Sequence, residues 1–265
     1  MRGNQLFWGV VLLLVGGLMF AGEMGLRLPN GASLMDLFWP AVLILGGLWV
    51  LVGVFFRGSV ETENASIELQ GASAIDFNIN HGAGEFNLHG GANANEAVHG
   101  TFTGGLTHKE IRNGDRLEVG MSPAKTFLDI PFIGPRNQLE WDVALNASVP
   151  ISLDLNLGAN KANLDLRDLN ITNIDLDTGA SETKLFLPSR GRFTADLDLG
   201  AASLEVVIPE GLSARIRASL GAAELKIDKE RFPRNGNFYQ SPDFETAANT
   251  VDMIIDGGAA TIKVR

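Results

Sequence analysis

Residues 153–166 read LDLNLGANKANLDL, residues 174–187 read IDLDTGASETKLFL, residues 195–208 read ADLDLGAASLEVVI and residues 216–227 read IRASLGAAELKI. The glycine of each Gly-Ala pair falls at Gly158, Gly179, Gly200 and Gly221, always 21 residues after the last. Gly258-Ala259 opens the phrase once more near the C-terminus, and Gly82-Ala83 carries an early copy. Within each copy apolar and polar residues alternate, which is the period of a strand. The inward set before the glycine is Leu153, Leu155 and Leu157, then Ile174 and Leu176, then Ala195, Leu197 and Leu199, then Ile216, Ala218 and Leu220. After the glycine the phase resets on Ala162, Leu164 and Leu166, matched in later copies by Thr183, Leu185 and Leu187, by Leu204, Val206 and Ile208, and by Leu225 and Ile227.

A strand, a corner at Gly-Ala, a second strand and a return make one repeat. At about 3.3 Å per extended residue, such a repeat is long enough for one closed turn of a solenoid whose coils sit about 4.8 Å apart. A run of antiparallel hairpins would give the same alternation, but only stacked units demand a fixed period. The recurring glycine is expected to supply a backbone angle that other residues reach only at a cost. Pro188 and Pro209 recur after the second strand, where no donor is needed.

The predicted fold class is therefore a membrane α-helical hairpin plus an all-β domain, a stacked β-solenoid (parallel β-helix-like) with 21-residue coils. Residues 1–57 are assigned to a two-helix transmembrane anchor, with helices at about 4–22 and 37–56. Residues 58–265 form the solenoid, with regular coils at about 151–228, an insertion at about 228–247 and a last coil at 248–265. The anchor rests on two 20-residue stretches without a charge, between Arg2 and Glu23 and between Asp36 and Arg57. Each is long enough to cross a hydrocarbon core as a helix. The two are also copies of one another, since LFWGVVLLLVGG from Leu6 and LFWPAVLILGGL from Leu37 share seven of twelve positions. Arg2 and Arg57 flank one side and Arg27 alone the other, a bias that places both ends, and hence the β-domain, in the cytoplasm.

The formal charge of -10 comes from the β-domain, which carries -11 against +1 over residues 1–58. An acidic domain repels phosphate backbones, so nucleic acid is excluded as a partner. Cysteine is absent, which removes disulfides, thiolate metal sites and cysteine nucleophiles. Upstream of the regular coils, Asn113-Gly114 between alternating runs marks a hairpin, and Pro123, Pro131 and Pro135 mark a loop over residues 122–137. Lys263 and Arg265 put charge on the final strand, as expected of a guarded sheet edge.

The segments RGNQLFWGVVLLLVGGLMF and LFWPAVLILGGLWVL resemble the membrane region shared by the LiaI and LiaF proteins of bacterial cell-envelope stress systems. WDVALNASVPISLDLNLGANKANLDLRDL and the terminal TVDMIIDGGAATIKV resemble the toast-rack and LiaF C-terminal β-domains. The resemblance covers nearly the whole chain. It implies an inner-membrane, multi-pass protein that reports on or restrains a response to envelope damage, with the lipid bilayer and a membrane sensor kinase as partners. This chain has two membrane segments where such a regulator commonly has four, which leaves the kinase partner open. A homo-oligomer, and a structural or adhesin-like element displayed at the membrane, are the other expectations.

No catalytic or phosphate-cradling motif is present, so no enzyme, cofactor or metal is predicted. The four histidines, His81, His89, His99 and His108, lack the close spacing of zinc motifs and are expected to face solvent. Asp154, Asp175 and Asp196 occupy one place in successive coils, and Asp177 and Asp198 share another. Stacked carboxylates repel, and Arg217, in the equivalent place of the next copy, is expected to relieve them. These five aspartates form the candidate interaction face, with Gly82, Gly158, Gly179, Gly200, Gly221 and Gly258 as structural coil corners.

Overall fold

The computed structural model describes residues 62–124 and 139–265, together with Gly16, Gly17, Phe20, Pro40, Leu43 and Gly47, which are helical. The two predicted membrane helices, 4–22 and 37–56, otherwise lie outside the described residues, as does most of the 122–137 loop. Among the described residues no helix is long and apolar enough to cross a membrane. The β-domain is one 17-stranded sheet that turns back on itself.

The chain enters through β1 (Thr62–Glu68) and the long β2 (Ala74–Gly90), then β3 (Glu96–Thr103), β4 (Leu106–Asn113), β5 (Arg116–Pro123) and β6 (Glu140–Leu145). The repeats follow as β7 (Ile151–Asp165), β8 (Ile171–Thr178) with β9 (Glu182–Phe186), β10 (Arg192–Leu199) with β11 (Ser203–Val207), and β12 (Ser213–Leu220) with β13 (Glu224–Ile227). A small hairpin, β14 (Arg234–Asn235) and β15 (Phe238–Gln240), precedes the last pair, β16 (Thr250–Gly257) and β17 (Thr261–Val264). Two parallel walls result. The first runs β5, β2, β7, β8, β10, β16, β12 and the second β6, β2, β7, β9, β11, β17, β13, with β2 and β7 bending through both.

Registration is residue on residue. Ile79, Leu155, Leu176, Leu197 and Ile255 form one aliphatic row inside the first wall, each fully buried. Leu88, Leu164, Leu185, Val206 and Val264 form its counterpart in the second. The predicted alternation is therefore the core pattern, and the early copy at Gly82 sits directly against Gly158 although 76 residues separate them.

The order of coils departs from the order of the sequence. Coil 213–227 does not rest on coil 192–208; β16 and β17 lie between them. The reason is volume. Coil 250–264 turns Val251, Met253 and Ile255 inward, whereas coil 213–227 offers Ala214, Ile216 and Ala218 at the same levels. Burying the bulkier row on both sides removes more apolar surface from water, at about 25 cal/mol per Å². Charge agrees with volume: Asp252 pairs with Arg215 and, at 3.4 Å, Arg217, while Glu205 holds Lys263 at 3.3 Å and Arg265 at 2.7 Å. The final strand is thus interior, and Lys263 and Arg265 do not guard an edge as expected.

The corner glycines also serve a different purpose from the one expected. None of the six has a left-handed φ. A Cβ on Gly158 would lie 2.3 Å from the Gly82 carbonyl oxygen, one on Gly179 2.7 Å from that of Gly158, and one on Gly200 2.7 Å from that of Gly179. The constraint is the coil beneath, approached too closely for any side chain.

Both ends are finished differently from the middle. At one end β4 and β5 form the expected hairpin, closed by Gly114 at φ 59°, so the run THKEIR is a strand; β3 and β1 extend the second wall antiparallel. At the other, the insertion folds over the stack. Phe232 is fully buried, Arg231 donates to the carbonyls of Ile208, Pro209 and Leu212, and β15 pairs antiparallel with Arg215 and Ile216 of β12.

Candidate functional site

Alternation fixes which side chains leave the first wall, and stacking fixes where they go. Four residues before each glycine, the outward column runs Asn78, Asp154, Asp175, Asp196, Ile254, Arg217. Two residues before it, the column runs Asn80, Asn156, Asp177, Asp198, Asp256, Ser219. The five predicted aspartates are brought together on one flat face, and Asp256 joins them. Its position two residues before Gly258 matches Asp177 and Asp198, so the phrase itself carried the signal; the late place of its coil in the chain concealed it.

Beside these columns the glycine corners leave a shallow groove of about 580 Å³, lined by Asn156, Asp177, Asp198, Asp256 and Ser219. Relief of the negative charge is one-sided. Asn78 donates to Asp154, and Asn80 donates to Asn78 at 2.7 Å. Arg217 does not relieve Asp196, because the intercalated coil puts Ile254 there and turns Arg217 toward Asp252. Among the described residues none of the six face aspartates has an ion-pair partner.

The electrostatic consequence is a rise in proton affinity. Asp175 is pushed above the ordinary value of 3.8 by partial desolvation and then by Asp154, Asp177, Asp196 and Asp198. Asp198 is pushed up by desolvation, then by Asp177, Asp196 and Asp256. Elsewhere the sign reverses: the hydrogen bond from Arg215 holds Asp252 below 3.8, and that from Arg265 holds Glu205 below 4.5. A raised carboxyl stabilises the fold when protonated and withdraws that stability as pH rises through its folded pKa. Asp175→Asn is therefore expected to stabilise the fold at pH 7 by about a few tenths of a kcal/mol, because the face is solvated, and so to raise the melting temperature slightly. The gain disappears below about pH 3.8, where the wild-type carboxyl is protonated in both states. Melting curves of both proteins across pH check it, and an unchanged or lowered midpoint at pH 7 contradicts it.

The histidines do not converge on this face, and one is not solvent-facing as expected. His81 stands in the inward row against Leu157, fully buried, with its ring 5.3 Å from Phe86 and 5.1 Å from Trp141. Its Nδ1–H donates to Asn160 Oδ1 at 2.8 Å, Asn160 donates back to the His81 carbonyl, and burial lowers its pKa, so the ring is neutral. His89 lies 3.1 Å from Asp142, and His99 and His108 are exposed on β3 and β4. Among the described residues no three groups gather as a metal would need.

Residues 56–207 match the model of the N-terminal domain of toast_rack, DUF2154. This chain belongs to the toast_rack family. The match ends at Val207, before the segment of this chain in which coil order departs from sequence order. A candidate cell adhesion protein of Clostridium sporogenes has the same fold, with 20% identity and a TM-score of 0.67 over 77% of this chain and 98% of its own. A candidate adhesin of Bacteroides fragilis is 7% identical over 77% of this chain and 97% of its own, with a TM-score of 0.31. No curated protein matches the sequence.

Proposed function

We propose that this toast_rack protein is a membrane-anchored, non-enzymatic interaction module of the bacterial envelope, and that its acidic face docks a basic partner. The observation that supports the reading is the face itself: six aspartates in two registered columns, none of them ion-paired among the described residues, on a wall whose backbone is locked by neighbours on both sides. Fixed charges of one sign steer an oppositely charged partner and set its register. The two uncharged stretches near the N-terminus supply the tether, and the arginine bias puts the β-domain in the cytoplasm, where a sensor kinase of an envelope-stress system is the partner that the LiaF resemblance implies.

A second reading, a structural or adhesive element facing outward, is favoured by the likeness to the Clostridium sporogenes protein. Sidedness separates the two. Protease added to intact spheroplasts is expected to leave the β-domain whole and to cut it only after lysis; digestion in intact cells would exclude the cytoplasmic regulator. Within the first reading, Asp175→Lys with Asp196→Lys is expected to lower partner recovery in a pull-down at least about tenfold. Recovery equal to wild type would remove the acidic face from binding.

A further inference from the structure

A strand edge left open carries unpaired N–H and C=O groups that invite another strand, and soluble proteins blunt such edges with charge. The two ends of this stack are treated unequally. At the β4 end the outermost strand presents His108, Lys109, Glu110 and Arg112. At the β13 end the inward residues Ala223, Leu225 and Ile227 are only partly buried, whereas Ile262 and Val264, one level deeper in the same rows, are wholly buried. Backbone pairing from the β15 hairpin reaches only Arg215 and Ile216 at this end and leaves β13 with one neighbour.

Backbone direction on β13 is set by its one neighbour. Glu224 N–H donates to the Ala260 carbonyl at 2.9 Å, and Asp228 N–H to that of Val264 at 3.2 Å. Because successive residues of a strand point their backbone groups to opposite sides, Ala223, Leu225 and Ile227 turn theirs to the open edge. Within 223–227, Ala-Glu-Leu-Lys-Ile, the charged residues Glu224 and Lys226 moreover flank Leu225 symmetrically with opposite sign. Lys226 stacks on Lys263, a like-charge neighbour, and finds its anion only at 3.3 Å along its own strand in Glu224.

We propose that β13 pairs antiparallel with β13 of a second copy, about a two-fold axis midway between the two Leu225 residues, so that two stacks join end to end along the second wall. In that register Leu225 and the partner's Leu225 exchange N–H···O bonds, and Ala223 does so with the partner's Ile227. The rotation preserves inside and outside, so the apolar row continues across the junction. Glu224 then faces the partner's Lys226, and Lys226 the partner's Glu224. Registers centred on Glu224 or Lys226 would instead oppose like charges. Charge and backbone direction therefore select the same alignment. The inference concerns a surface separate from the aspartate face and stands without it.

The absence of cysteine makes the register directly testable in the full-length chain. Two differently tagged variants, Glu224→Cys and Lys226→Cys, are co-expressed and their membranes treated with a mild oxidant. The mixed disulfide is expected in high yield and neither homodisulfide above background, because only unlike positions face each other. In parallel, the mass of the detergent-solubilised chain is expected to be that of a dimer. Glu224→Lys raises its dissociation constant about tenfold or more, and Glu224→Lys with Lys226→Glu restores it. Circular dichroism confirms that each variant is folded. Homodisulfides as abundant as the mixed species, a monomeric wild type, a dimer indifferent to Glu224→Lys, or a double variant that stays dissociated would each overturn the proposal.

Discussion

Gly158→Ala is expected to destabilise the β-domain by about 3 kcal/mol, toward the upper end of the range for overpacked sites. A Cβ there meets the Gly82 carbonyl oxygen at 2.3 Å, and that oxygen belongs to a registered strand, so relief requires moving one coil away from the next. The effect should fall along the column in step with the approach. Gly179 and Gly200, at 2.7 Å, come next; Gly221, at 3.2 Å near the open end, costs less than about 1 kcal/mol; and Gly82, with nothing within 4 Å, costs only what a helix-free backbone gains or loses from a methyl group. Urea unfolding of the five alanine variants measures the series. A flat series, or Gly82→Ala as the worst, would mean that the corners are glycine for conformational and not for steric reasons.

The second large effect separates coil order from sequence order. Ile255→Ala is expected to cost about 3 kcal/mol, because the side chain is fully buried between Leu197 and Ala218 with a coil on either side. Leu225→Ala, in a coil that appears earlier in the chain but lies at the end of the stack, should cost about 1 kcal/mol, since its side chain is only partly buried and part of the lost contact is already solvent. Stacking in sequence order would reverse the ranking, with the final coil exposed and coil 213–227 enclosed. Equilibrium denaturation of the two variants decides between the arrangements.

The contrast shows what could be read from the chain and what could not. Strand identity, the inward rows and the vertical alignment of Leu155, Leu176 and Leu197 follow from a period of two inside a period of 21, because both are local properties. The Asn113-Gly114 hairpin and the gathering of Asp154, Asp175, Asp177, Asp196 and Asp198 were legible for the same reason. Coil order was not, since Gly221 and Gly258 carry equally good copies of the phrase and only the relative bulk of Ala214 and Ala218 against Val251 and Ile255 distinguishes inside from end. With that order hidden, Arg217 was assigned to Asp196, Lys263 and Arg265 to an edge, and Asp256 to no column. His81 was obscure for another reason. Its copy of the phrase puts an imidazole where others have Leu157 or Thr178, and only Asn160 and Trp141, brought from distant segments, make that place tolerable.

Intercalation of the C-terminal coil has a bearing on biosynthesis. Translation delivers β10 and β11 first, then coil 213–227, and only afterwards β16 and β17, which take the place beside β10 and β11. Until β16 and β17 emerge, that coil is the one at hand to cover β10 and β11, where Arg217 would meet Asp196 and Lys226 would meet Glu205. The finished molecule requires it to yield that place to a latecomer. The upper levels of the tower therefore reach their final order only once β16 and β17 have been made, later than the strands they separate.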